Sequence, residues 1–175
     1  MRRTYKTRRR CGRHARSMDN TSTSVSPTPT TVTAPATAPV RFDSKIAVLL
    51  REDLAPWQRL NVTAFLVSGL GTAVPELIGE PYADADGTGY LPMFRQPVLV
   101  LEGGRELLAG AHGRALSRGL PLAVFTADLF ATGNDRDNRA AVRAVPTAAL
   151  DLVGLAVHGP RNAVDKVLKG ARMHP

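Results

Sequence analysis

The side chains that could act on a ligand fall just after short apolar runs. Arg51, Glu52 and Asp53 follow the first run, Thr126, Asp128 and Thr132 the third, and His158 with Gly159 the fourth. Asp128 offers an acceptor or a base, and His158 a donor that titrates near neutral pH. Asp53 and Asp128 have an equally simple use as caps of helices or turns. Other chemistries lack their residues. His14, His112, His158 and His174 show no metal-ligand spacing, and no metal or cofactor is expected. There is no G-x-S-x-G elbow and no phosphate loop of the Walker type. Gly69-Leu70-Gly71 lacks the third glycine of a dinucleotide fingerprint and follows a helix, not a strand. Asn134 to Asn138 is rich in oxygen ligands but lacks the glycine and distal glutamate of a calcium loop. A solvated turn is expected there, with Asn138 or Asp137 capping a helix.

The elements that position these residues follow from hydrophobic patterning. Lys45 to Arg51, Pro97 to Leu101, Leu120 to Thr126 and Asp151 to Val157 read as four buried strands, because each is continuously apolar and short. Trp57 to Val74 reads as a buried helix, apolar on most faces, whose Asn61, Ser68 and Thr72 form a polar stripe at a helix interface. Glu80 to Tyr90, full of turn residues, reads as an excursion. A second helix is expected to run to Arg118, with Leu107, Leu108, Ala111 and Ala115 inward and Gly119 as its stop. A short helix is expected near Arg139 to Val145, and a final one opening at Gly159-Pro160. Continuously apolar strands need helices on both sheet faces. The expectation is a three-layer α/β/α sandwich around a four-stranded mixed sheet, the direction of the fourth strand being left open. In open α/β sheets ligands collect at the carboxyl ends of strands, which is where the candidate residues stand.

The charge is unevenly placed. The 175 residues carry a net charge of +8, yet Arg2, Arg3, Lys6, Arg8, Arg9, Arg10, Arg13 and Arg16 supply eight bases and no acid accompanies them before residue 18. Residues 18–40 are dominated by Thr, Ser, Pro and Ala and contain no Leu, Ile or aromatic residue, so they cannot bury enough apolar surface to fold. Residues 1–41 are thus expected to be a disordered basic head and linker, and residues 42–175 a single domain. Three uses compete for the head: contact with nucleic acid, targeting, and a stretch upstream of a true start at Met18. The last is favoured. The head has a basic start but no apolar core, so it is not read as a secretory signal, and no run is long enough for a membrane helix. Cys11, the only cysteine, excludes an intrachain disulfide and suits a reducing cytoplasm.

Ile46-Ala-Val-Leu-Leu-Arg-Glu-Asp-Leu54, Pro97 to Asp128 and Val153 to Val167 resemble the opening strand and turn, the middle strand-helix-strand and the closing strand-helix of the peptidyl-tRNA hydrolase type 2 fold. Leu60 to Gly69 and Ala131 to Arg139 are more similar still to a bacterial offshoot, domain-of-unknown-function family 2000. The hydrolase resemblance implies a site built on Arg59, Asp128 and Thr132. The hydrolase lysine is absent, and Arg59, near its place, stays charged, so it could bind an anion but not transfer a proton.

Three functions are therefore expected, in order. The first is binding of a small polar or anionic ligand by Asp53, Asn61, Asp128, Thr132 and His158. The second is hydrolase-like or other RNA-directed chemistry by Asp128, Thr132 and Arg59. The third is self-association through the apolar helix. Nucleic acid is otherwise suggested only by the basic head, and no membrane contact is expected.

Overall fold

A computed structural model describes residues 40–175. The expectations for the basic head and for nearly all of the linker lie outside the described residues. Strand β1 (Ser44–Arg51) is followed by helix α1 (Pro56–Ala73) and a 3-10 turn (Pro75–Leu77). A small hairpin, β2 (Tyr82–Ala83) and β3 (Gly89–Tyr90), occupies the excursion. Then come β4 (Val98–Gly103), α2 (Arg105–Leu116), β5 (Leu122–Thr126), a 3-10 turn (Ala127–Ala131) and α3 (Asp135–Arg143). The described chain closes with β6 (Leu152–Pro160), α4 (Arg161–Val167) and β7 (Arg172–Met173).

The main sheet has the order β5-β6-β1-β4-β7. β1 and β4 are parallel, while β6 runs antiparallel to both β1 and β5, and β7 antiparallel to β4. The sheet is mixed and has five strands, not the four expected. The fifth, β7, spans two residues, too few to carry a hydrophobic period.

Two apolar cores explain why the strands read as continuous apolar runs. Ile46, Val48 and Leu50 meet Val62, Leu66 and Leu70 of α1 on one face. Ala47 and Leu49 meet Leu108, Ala111 and Ala115 of α2 and Val164 and Val167 of α4 on the other. Successive strand residues point to opposite faces, so both sets must be apolar.

Several local expectations need correcting. α1 is not buried on most sides: only the stripe Val62, Leu66 and Leu70 is, whereas Trp57, Leu60 and Phe65 are more than half exposed. Asn61, Ser68 and Thr72 lie in solvent, where Ser68 and Thr72 donate to the carbonyls of Phe65 and Ser68. β6 continues through Gly159 and Pro160, so α4 starts one residue later than expected. The cap of α3 is Asn134, whose side chain accepts from the Asp137 backbone N–H at 3.0 Å. Gly119 does end the α2 segment, at φ 60°, a left-handed turn that favours glycine.

Candidate functional site: a cleft at the carboxyl end of the sheet

The parallel strands β1 and β4 end side by side, and α1 starts directly after the turn that leaves β1. The Gln58 side chain accepts from the Ala55 backbone N–H at 2.9 Å, and Pro56 occupies a first-turn position where no N–H is needed. This start brings Arg59, one turn into α1, over the end of β4. There Glu102 continues the same face as Val98 and Val100, which pack toward α1. An acid at the end of an apolar strand face thus lies under a helical arginine.

Arg59 Nη1 donates to Glu102 Oε2 at 2.7 Å, and Nε to the Leu54 carbonyl at 2.9 Å. Nη2 donates to the Glu52 carbonyl. From the edge strand β7, Arg172 Nε donates to Glu102 Oε1 at 2.8 Å and Nη2 to Glu52 Oε2 at 3.1 Å. Arg59 Nη1 also lies 2.9 Å from His174 Nε2. Since the guanidinium can only donate, that ring nitrogen accepts and Nδ1 carries the proton, which it donates to the Pro175 carbonyl at 2.9 Å. Glu102 is nearly buried, with its side chain 6% exposed, and both oxygens are taken by guanidinium groups. The Arg59 and Arg172 hydrogen bonds hold its carboxyl below the usual range, outweighing desolvation. The same contact holds Arg172 more firmly charged.

These groups form one end of a cleft of about 890 Å³. Its other walls are mostly apolar, Leu50, Leu54, Pro56, Leu60, Ala64 and Val100, and Thr63 turns its hydroxyl to the Arg59 carbonyl. The two guanidiniums and the two carboxylate side chains at the polar end balance in charge. Arg172, 68% exposed, keeps N–H groups not used by Glu102 or Glu52.

Of the residues expected from sequence, Glu52 and Arg59 line this cleft. Asp53 is exposed and paired with Arg51 at 2.7 Å, and Arg51 also binds Asp151 at 2.7 Å. Asn61 and Thr132 share a second, smaller cavity of about 350 Å³ with Trp57, Phe65, Phe125 and Phe130. There the Thr132 hydroxyl donates to the Leu129 carbonyl at 2.9 Å and contacts Asn138 Oδ1. Edge-on pairs of Phe65 with Phe125 and of Trp57 with Phe130, both at 5.8 Å, fasten β5 and the turn after it to α1. Asp128 is exposed in that turn and lines neither cavity.

His158 is at the wrong end for the expected cluster. Because β6 is antiparallel, His158 pairs with Ile46 at the start of β1, while Asp151 stands near the carboxyl end. Glu102, Arg172 and His174 were not anticipated. Glu102 carried a usable signal, an acid two residues after Val100 on a face that is otherwise apolar. Arg172 and His174 carried none, since the strand that brings them is two residues long.

Among the described residues no three His, Cys, Asp or Glu side chains gather as a metal site, and no helix is long and apolar enough to cross a membrane.

Residues 44–175 match the family described as protein of unknown function, DUF2000. The chain belongs to that family. A solved structure of a protein of unknown function from Agrobacterium tumefaciens strain C58 is 44% identical, with a TM-score of 0.75, over 77% of this chain and 100% of that one. A search of curated proteins finds no significant match.

Proposed function

We propose that this family member binds a small molecule with an apolar body and an anionic or hydrogen-bonding head in the cleft between α1 and β7. The observation that carries this reading is an 890 Å³ apolar cleft with a spare guanidinium edge at one end. Mostly apolar pockets with a few convergent polar groups are the common form of small-molecule sites. The body would lie on Leu54, Leu60 and Val100, and the head would meet Arg172. The amphipathic anion 8-anilinonaphthalene-1-sulfonate is a suitable probe. Its fluorescence should saturate with one site per chain. Leu60→Asp and Arg172→Ala should weaken binding about ten-fold, the scale of one lost charge-assisted contact. Leu116→Asp, at an exposed position of α2, should leave it unchanged. Equal binding by all these variants would remove the reading.

Self-association is a second reading, favoured by Trp57, Leu60 and Phe65, which are 62%, 75% and 52% exposed. Sedimentation would show a concentration-dependent dimer that Phe65→Asp abolishes, whereas a strict monomer would exclude it.

For the fold we also propose the likeness to peptidyl-tRNA hydrolase type 2, on the residues Ile46 to Leu54, Pro97 to Asp128 and Val153 to Val167. Hydrolase chemistry has weaker support. Arg59 and Thr132 line separate cavities, and Asp128 lines neither. Incubation with aminoacyl-blocked tRNA, with no release above background, would exclude it. A cytoplasmic location and a bacterial source belong to the same proposal, resting on Cys11 as the lone cysteine and on the family resemblance.

A further inference from the structure

The opposite end of the sheet holds polar groups with no assigned use. Ile46 of β1 pairs with Val98 of β4 on one side and His158 of β6 on the other, so these residues share the face toward α1. Two residues earlier, Ser44 Oγ donates to Gln96 Oε1 at 3.0 Å. Ser44, Gln96 and His158, with Arg41, Glu76 and Arg95 among their neighbours, line a cavity of about 380 Å³. It lies where the 3-10 turn after α1 reaches the start of β1.

Gln96 is 8% exposed, and its Nε2 has no hydrogen-bond partner among the described residues. The buried Nε2 of His158 has none either. Such orphaned groups are uncommon, because each forfeits its bonds to water without replacement. The amide needs an acceptor. Burial holds the His158 ring below its ordinary pKa, against the opposing pull of Glu76, so at neutral pH the ring is uncharged and its Nε2 can carry a donor proton. Arg41 and Arg95 are exposed at the same cavity and make no ion pair among the described residues. Asp43 and Glu76 balance them in charge, which suits a single carboxylate better than a doubly charged phosphate.

We propose that this cavity is a second binding site, for a small monocarboxylate whose oxygens accept from Gln96 Nε2 and His158 Nε2. The site stands apart from the cleft and does not depend on what the cleft binds.

The test uses the full chain with ¹⁵N-labelled histidine. Titration with sodium acetate should move the His158 ring signals to saturation, while sodium chloride at matched ionic strength should not. Gln96→Met removes the amide at similar size and should weaken acetate binding about ten-fold, the scale of one hydrogen bond to a charged group. Leu116→Asp, at an exposed position of α2 that lines neither cavity, should leave it unchanged. A non-saturating response, an equal response to chloride, or unchanged affinity in Gln96→Met would overturn the proposal. If Gln96→Met fails to fold, the acetate and chloride titrations of the unmodified chain decide, together with a crystal grown in acetate. Acetate on both nitrogens supports the site. An ordered water or a group of the protein itself on both overturns it.

Discussion

Glu102 decides the character of the cleft, since each of its oxygens faces an arginine. With its folded pKa depressed, the unfolded chain takes up this proton first as pH falls. The stabilisation is complete above the ordinary value of 4.5 and is lost as pH falls through the lower folded value. Urea midpoints should therefore drop more steeply in the native protein than in Glu102→Gln between about pH 5 and 3. His112 behaves differently. It is buried in α2, and desolvation lowers its pKa, so the unfolded chain again binds the proton first, now near its ordinary 6.5. Stability should weaken as pH falls through about 6.5, and His112→Leu should flatten that part of the profile whatever its absolute stability. The sequence brought Asp53, Asp128 and His158 forward because acids and histidines after apolar runs look functional. It passed over Glu102, whose role depends on an arginine 43 positions earlier. Pairing at that separation is a property of the folded sheet.

At the level of elements, the strands and helices were largely legible, because burial on both sheet faces imposes continuous apolar runs and α1 lacks an internal proline. What a run of apolar residues does not encode is how many neighbours a helix will have. α1 rests on the sheet with one stripe and leaves Trp57 and Phe65 outside. Its closeness to the sheet depends on Gly154 of β6: a Cβ there would lie 2.6 Å from Val62 Cγ1 and 3.1 Å from Leu66 Cδ1. Gly154→Val should cost about 1–3 kcal/mol by overpacking, read from urea denaturation. Gly133→Ala, where a Cβ meets nothing within 4 Å, is the matched control and should be near neutral. Asn134→Ala should cost about 1 kcal/mol through the lost cap of α3, in the same measurement.

At the scale of the molecule, strand direction decided which residues could meet. One reversed strand, β6, sends His158 to the far end of the sheet from Arg59, and no local pattern marks that reversal. Charge was easier to read from sequence. Residues 40–175 hold 15 Lys and Arg against 14 Asp and Glu, so the +8 of the chain comes almost wholly from its first seventeen residues. Any retention of the full chain on nucleic acid should fall steeply with added salt and disappear when the eight head bases become glutamine, as counterion release requires. The wall of the cleft has a different consequence. β7 pairs through Leu101 with Met173 and Glu102 with Arg172, followed by one bond from the His174 N–H to the Val100 carbonyl. An edge held by so few ladder bonds opens far more often than the whole domain unfolds, so its amide protons should exchange ahead of those in β1. The polar end of the cleft is then carried on its least anchored strand, so Arg172 should leave its place beside Glu102 more often than Arg59 on α1 does.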